Sequence, residues 1–493
     1  MERIWTAAEL KKADAETMER GLASPVLMER AALAVMDVML EEKMDLSGAV
    51  VVCGTGNNGG DGIAVARLLA ERGFRPLVLT AGDPERYSSE RKLQESILRS
   101  YEADFCNVPD EVRWEEKTLV VDALFGIGLS RPVKSEYEKL IGLINGSGLP
   151  VVAVDIPSGV HTDTGAVLGC AVRAAHTVSF SGEKAGLLLY PGREYAGKVH
   201  VRKIGICMPV QEPSDVFLRV TEKDLALFPE RDESGNKGTF GKVLVIAGSR
   251  TICGAAILSG KACLRSGAGM VRIFTEESNR IPIAAAFPES LLDTYKEGEW
   301  NKKDLSAAMN WADTVLIGPG IGTGETAEAI LEFVLANSSH PLIMDADALN
   351  LLSGEPERIC AYPGPVIITP HVMEMRRLSG WTCADIKADP RSAAVRMAEK
   401  SSACVVLKDA VTLIADPSGR SCLYADGSSA LATAGSGDVL AGIMAAFLAR
   451  DPEHRFRDAA LAVCLHGRSG EKAAGIRSRA AVTAGDLIDQ LAF

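Results

Sequence analysis

The chain of 493 residues contains no C-x-x-C pair; its eleven cysteines stand singly and at irregular intervals. An odd set of scattered thiols excludes a regular disulfide framework and a zinc ribbon, and fits free thiols in a reducing compartment. No apolar run approaches the ~20 residues that a membrane-spanning helix needs. Positive charge is in deficit. Lys and Arg number 53 against 65 Asp and Glu, a formal net charge of -12. That balance argues against nucleic acid as a main partner, while leaving room for a local basic site that takes a phosphorylated small molecule. The opening stretch, MERIWTAAELKKADAETMERG, carries acids among its charges. It lacks the basic and apolar regions of a secretory signal and the acid-poor character of a transit peptide. The expected setting is the cytoplasm.

What is present is α/β alternation. Apolar, β-branched runs occur at AVVVCG, PLVLTAG, TLVVDALFG, VVAVDIPSG, HTVSF and KVHVRKIGI, with helical patterns between most of them, as at Ile63 to Arg72 and Ser135 to Ile144. Two Ala-rich helices are expected ahead of the first strand, near Thr6–Arg20 and Pro25–Glu42. Such alternation predicts βαβ units and a mainly parallel sheet covered on both faces. Between Met208 and Ser234 the composition turns to Pro, acids and small polar residues, which marks a boundary. A second α/β series follows, through GKVLVIAGS, VRIFTEE, DTVLIGPGIG, PLIMDADAL, PVIITPH and CVVLKDAVTLIAD. The length suits two or three domains. The expected division is 1–212 and 213–493, with different α/β folds.

In the first half, GTGNNGGDG (Gly54 to Gly62) follows a strand and opens a helix. Gly54, Gly56 and Gly59 fit G-x-G-x-x-G, and Asp83 stands near where a dinucleotide-binding fold places its ribose acid. The polar side chains of Asn57, Asn58 and Asp61 fit that reading poorly; a turn-rich loop that tolerates Asn and Asp is the plain alternative. Two further strand ends carry chemistry: Asp122 in VDALFGIGLSRP, and Asp155 with Ser158 in VDIPSG. The carboxyl ends of parallel strands converge on one crevice, so Asn58, Asp122 and Ser158 can together offer hard oxygen ligands to a cation.

NNGGDG, VDALFGIGLSRP and AVDIPSG, in this order and spacing, resemble the NAD(P)H-hydrate epimerase domain, the YjeF N-terminal family, over roughly residues 1–210. The resemblance implies a Rossmann-like three-layer fold and interconversion of the R and S epimers of a nicotinamide cofactor hydrated at C6 of its ring. It places the substrate against Asn57, Asn58, Gly59, Gly60 and Asp61, and against Gly126, Ile127, Gly128, Leu129, Ser130, Arg131 and Pro132. It gives Asn58, Asp122 and Ser158 to a potassium ion, and makes Asp155 a substrate contact and the acid–base group.

The second half ends several elements in Gly, His, Lys or Asp: LIGPGIG, TPHVMEM with His371, VVLKDAVTLIA with Lys408, Asp409 and Thr412, and ATAGSGDVLAG with Asp438. Gly435 and Gly437 allow backbone N–H groups to face an anion, and a helix starting near Asp438 aims its positive end at the same point. A carboxylate there repels phosphate unless it has a task such as accepting a hydroxyl proton. Ser and Asp are also good helix N-caps, so from this stretch capping and catalysis are both open.

Together with KGTFGKVLVIAGS and GAAILSGKACLRSGAG, these segments are similar to the NAD(P)H-hydrate dehydratase domain, the YjeF C-terminal family, over roughly residues 215–493. That implies a ribokinase-like α/β fold and dehydration of the S epimer at the expense of a nucleotide with magnesium. The hydroxyl is phosphorylated and the phosphate then eliminated. Asp438 becomes the base; Ala255, Gly320 and His371 contact the hydrate, as does Asp438 itself; Lys408, Asp409, Ala410, Val411, Thr412 and Gly437 contact the nucleotide. The fused form of the family generally uses ADP. The chain departs from the family pattern at Met373, where Gly is usual, at Asp409 in place of Gly, and at Leu431 in place of Met. The first two bear on loop shape and on repulsion of phosphate.

The expected protein is therefore a two-activity repair enzyme whose partners are hydrated NADH or NADPH and ADP, with no nucleic acid and no membrane; assembly into a homo-oligomer is left open. Two other readings fit parts of the sequence. A ribokinase-like vitamin-precursor kinase explains the second half and leaves the first unexplained. A non-catalytic nucleotide sensor gains nothing from a carboxylate at Asp438.

Overall fold

The computed structural model describes residues 1–209 and 214–492, so the expected boundary at 212/213 lies outside the described residues. The chain divides into two compact units: Arg3–Glu212, and Pro213–Phe493 together with Met1–Glu2.

In the first unit the strands lie in the order Asp104–Cys106, Leu77–Thr80, Ala49–Cys53, Leu119–Ala123, Val151–Val154, His176–Phe180, Lys198–Arg202, all parallel. The short edge strand Asp104–Cys106 has no β-branched run and carries no sequence signal. Ala49–Cys53 and Leu119–Ala123 are buried along their whole length. They are covered on one face by Ser24–Glu41 and Asn57–Glu71 and on the other by Glu136–Gly146. That is why their sequences are continuous apolar runs. Strand order reverses between these two strands, and the loops leaving their carboxyl ends open a crevice there. The helix expected from Ile63 begins earlier, at Asn57, with Gly56 as its N-cap. The polar NNGGD stretch hides the apolar period of its first turn. Close packing dictates the glycines: a Cβ on Gly54 would lie 1.9 Å from the Leu124 carbonyl oxygen, and one on Gly59 2.1 Å from that of Gly54.

In the second unit a parallel run passes through Leu291–Tyr295, Met270–Glu276, Lys242–Ile246, Thr314–Ile317, Leu342–Met344, Val366–Ile368 and Cys404–Leu407. The segment CVVLKDAVTLIAD splits into Cys404–Leu407 and Thr412–Ala415, which pair antiparallel, and Ser421–Tyr424 extends the pair. Residues 408–411, from Lys408 to Val411, are thus a hairpin loop. The helices Gly254–Arg265, Ser436–Arg450 and Arg455–Ile476 supply much of this unit's apolar core, in which Met444, Phe447 and Leu461 are buried. The order reverses between Lys242–Ile246 and Thr314–Ile317, so this sheet also has a crevice at its carboxyl ends. The Met1 ammonium pairs with Asp224 inside this unit.

Candidate active sites

The crevice of the first unit is a cavity of about 730 Å³. Its wall includes Asn57, Asn58, Asp61, residues 126–131 (Gly126 to Arg131) and Asp155. Gly59 and Gly60 are buried behind the wall and Pro132 is exposed outside it, so these three shape the loops and do not face the cavity. Asp83 has no part in the cavity; it accepts from the Glu85 N–H and caps a short helical turn.

Asp155 sits just past the strand Val151–Val154 with φ +71°, a left-handed conformation that non-glycine residues seldom adopt. The turn is held by its N–H, which donates to the Val178 carbonyl at 2.8 Å. Its carboxylate accepts from the Phe180 N–H at 3.0 Å and from Lys184 Nζ at 2.7 Å. Lys184 is 1% exposed and also donates to Ser179 Oγ and the Phe180 carbonyl. The lysine fixes which Asp155 oxygen remains for a ligand. Burial, followed by the nearby charges of Asp155 and Asp14, lifts the Asp61 carboxyl well above its ordinary value. The cavity is thus lined by two acids, Asp61 and Asp155, that feel each other's charge. Lys184→Met is expected to abolish epimer exchange and to destabilise this unit by ~3–5 kcal/mol, the usual cost of leaving one member of a buried ion pair alone. Denaturant unfolding and an epimer-exchange assay check both; normal exchange would remove Lys184 from the machinery.

Asp122 and Ser158 meet. Ser158 Oγ donates to Asp122 Oδ1 at 2.7 Å and the Ser158 N–H to Oδ2 at 2.8 Å. Burial pushes the Asp122 carboxyl up to about 6, against these hydrogen bonds. Asn58 faces the same loop: a Cβ on Gly126 would lie 3.1 Å from Asn58 Oδ1. The buried Nδ2 of Asn58 has no hydrogen-bond partner among the described residues. An amide oxygen, a carboxylate and a hydroxyl are a hard donor set that suits a potassium ion.

In the second unit, the helix carrying Asp438 runs over Ser436–Arg450, and Gly435, at φ +85°, is its N-cap. Asp438 is therefore the third residue of the helix, and no side chain caps it. Capping does not account for this carboxylate. Burial, then Asp345, pushes it up to about 7, with Lys408 pulling the other way. A carboxylate in a first helical turn gains only ~0.3–1 kcal/mol from the dipole.

Lys408 Nζ donates to Asp345 Oδ1 at 2.8 Å, and a Cβ on Gly437 would lie 3.5 Å from the same Nζ. Burial opposes the lysine's charge, but Asp345 and Glu374 outweigh it and hold the group above its ordinary value. Lys408 is thus a fixed cation beside the glycine loop. His371 pairs with Lys408 through a backbone bridge. Its Nδ1 accepts from the Met373 and Glu374 N–H groups, and Glu374 accepts in return from the His371 N–H. Because the side chain at 373 is exposed and takes no part in this capping box, methionine fits where glycine is usual. Asp409 turns to Lys387, 3.5 Å away, which tempers its charge. Gly320 packs against Ala255: an added Cβ would lie 3.1 Å from that of Ala255. Val411 is buried, so its side chain does not face a ligand.

Sequence reasoning missed Asp345, Asp347 and Glu374 here, and Lys184 in the first unit. Asp345 and Asp347 follow the strand Leu342–Met344 in the motif DAD, Asp347 opening the helix Asp347–Leu351 and accepting from the Gly322 N–H at 2.9 Å. Two acids at a strand end of a parallel sheet were the available signal.

The match to known proteins follows the same division. The NAD(P)H-hydrate dehydratase family model matches residues 243–492, and that of the YjeF-related protein N-terminus matches 24–186. A bifunctional NAD(P)H-hydrate repair enzyme of Thermofilum pendens is 37% identical, over 99% of this chain and 95% of the relative. The chain belongs to the bifunctional NAD(P)H-hydrate repair enzymes. A repair enzyme of Escherichia coli is 34% identical over 99% of this chain and 93% of its own. Among solved structures, a ribokinase-like superfamily protein of Enterococcus faecalis is 31% identical, covers 57% of this chain and 96% of its own, and has a TM-score of 0.50. An ADP/ATP-dependent NAD(P)H-hydrate dehydratase of Bacillus subtilis, crystallised with ATP and magnesium, is 32% identical over 56% of this chain and 96% of its own, with a TM-score of 0.49. The second unit of this repair enzyme has a ribokinase-like α/β fold. Among the described residues no helix is long and apolar enough to cross a membrane.

Proposed function

We propose that the chain repairs hydrated nicotinamide cofactors in two steps, with epimerisation within 1–212 and nucleotide-dependent dehydration within 213–493. The observation that carries this reading is Asp438, a carboxylate that caps nothing, placed beside the Lys408 ammonium at a glycine-initiated helix N-terminus. In the first unit, Asp155 takes the proton of the C6 hydroxyl as the C6–N bond of the ring breaks, leaving a C6 aldehyde while the bonding electrons and a proton go to the ring nitrogen. Closure of that nitrogen on the other face of the aldehyde, with a proton returned to oxygen by Asp155 or Asp61, gives the other epimer, and Lys184 holds Asp155 in register. Asn58, Asp122 and Ser158 would hold a potassium ion, which supplies positive charge next to a buried carboxylate and an anionic substrate.

In the second unit, Asp438 takes the hydroxyl proton of the S epimer as the hydroxyl attacks the terminal phosphate. The oxygen–phosphorus bond forms, and nucleotide with one phosphate fewer leaves. Loss of that phosphate with the C–O bond electrons, and of a ring proton, restores the cofactor. The first N–H groups of the helix lack intrahelical acceptors and hold the phosphate oxygens; Lys408 offsets their charge. Asp345, Asp347 and Glu374 offer carboxylate oxygens suited to magnesium, which would neutralise phosphate charge. ADP is the expected nucleotide.

Incubation with hydrated NADH and ADP, followed by the absorbance of NADH, tests the reading. A stable phosphate ester in place of NADH would favour the kinase alternative, and no turnover with ADP or ATP would remove the dehydratase assignment. Because Asp438 must be ionised to act as the base and its value stands at about 7, kcat/KM for dehydration is expected to rise with pH through an apparent value near 7. A flat profile on the acid side would contradict the role.

A further inference from the structure

The strands His176–Phe180 and Lys198–Arg202 are parallel neighbours with Val178 opposite His200, so His176 and His200 stand two positions apart in register on one face. The end of the helix Ser24–Glu41 passes over that face and brings Glu42, its C-cap residue, to the pair. His176 Nδ1 lies 3.1 Å from His200 Nε2, and Glu42 Oε1 lies 3.9 Å from His200 Nε2. One ligand atom from each of the three residues falls within 4.8 Å of the other two. Tetrahedral coordination with metal–nitrogen bonds of ~2.0–2.1 Å places two ligand nitrogens about 3.3 Å apart. The observed nitrogen separation matches such a site, and Glu42 Oε1, now 3.9 Å from His200 Nε2, has to draw closer to complete it.

We propose that Glu42, His176 and His200 bind a divalent metal ion of the zinc class. Two imidazole nitrogens and one carboxylate oxygen suit a borderline ion such as Zn²⁺, and poorly suit Mg²⁺ or Ca²⁺, which prefer oxygen alone. The site is separate from the epimerase cavity. His176 begins the strand whose far end leads to Phe180 and Lys184 beside Asp155. The ammonium of Lys198 lies 2.7 Å from Glu42 Oε1 and competes with the metal, but its side chain is 63% exposed and free to swing into solvent.

The full chain, stripped of metal by chelator, is titrated with Zn²⁺ by calorimetry and with Co²⁺ by visible absorption. One equivalent is expected to bind, with a cobalt spectrum free of thiolate charge-transfer bands. His176→Ala and His200→Ala are expected to lose that equivalent while retaining epimer exchange, which also reports that they fold. Lys198→Met is expected to bind several-fold tighter, because a competing cation is gone. Failure of the wild-type chain to bind would overturn the proposal. So would thiolate bands, binding unchanged in both histidine variants, or a Lys198→Met affinity no higher than wild type.

Discussion

Asp438→Asn is expected to lower dehydratase turnover by ~10²–10⁴-fold, the usual loss when a positioned base is removed, with nucleotide affinity kept or raised. Asn preserves shape and hydrogen-bonding capacity but takes no proton at neutral pH, and it removes a negative charge beside the phosphates. The same substitution should stabilise the fold at alkaline pH. The folded-state value of Asp438 is raised from 3.8 to about 7, so the folded chain holds a proton that the unfolded chain releases between those values. Its contribution is favourable below the lower value and is lost as pH rises through the upper one. Above pH 7 the variant should therefore melt several degrees higher than wild type, and the difference should shrink as the medium becomes acidic. Turnover, nucleotide calorimetry and melting at two pH values separate this from a purely structural role, for which turnover would be unchanged.

Asp155→Ala is expected to abolish exchange between the R and S epimers while dehydration of the S form continues, again a loss of ~10²–10⁴-fold at one step only. Two effects must be distinguished in this variant. Alanine at φ +71° is strained, and Lys184 loses its partner inside the unit. Asp155→Asn keeps a residue that tolerates the left-handed region, so it should be the better folded of the two and equally inactive in exchange. Exchange at the wild-type rate in a folded Asp155→Asn chain would move the acid–base role elsewhere.

The two sheets and their crevices were legible because buried parallel strands must be apolar throughout, and because glycines and acids cluster where such strands end. NNGGDG, VDALFG and GSGD therefore stood out. The strands Asp104–Cys106, Leu291–Tyr295 and Ser421–Tyr424 did not, since none has a β-branched run. The hairpin at Lys408 was hidden by two apolar strands running together without a Gly or Pro between them. Lys184 is 29 residues from Asp155 and is recognisable only once folding buries it. Whether Asp438 caps or stands free depends on where its helix starts, and a difference of three residues decides that.

The most direct test follows a mixture of both epimers of hydrated NADH with ADP, resolving R and S by chromatography while NADH absorbance is recorded. Wild type should convert the whole mixture. Asp155→Asn should stop when the S form is spent, and Asp438→Asn should yield no NADH yet still bring R and S to equilibrium. A wild-type reaction that stalls with R untouched, or an Asp438→Asn chain that restores NADH at the normal rate, would contradict two sites serving two successive steps.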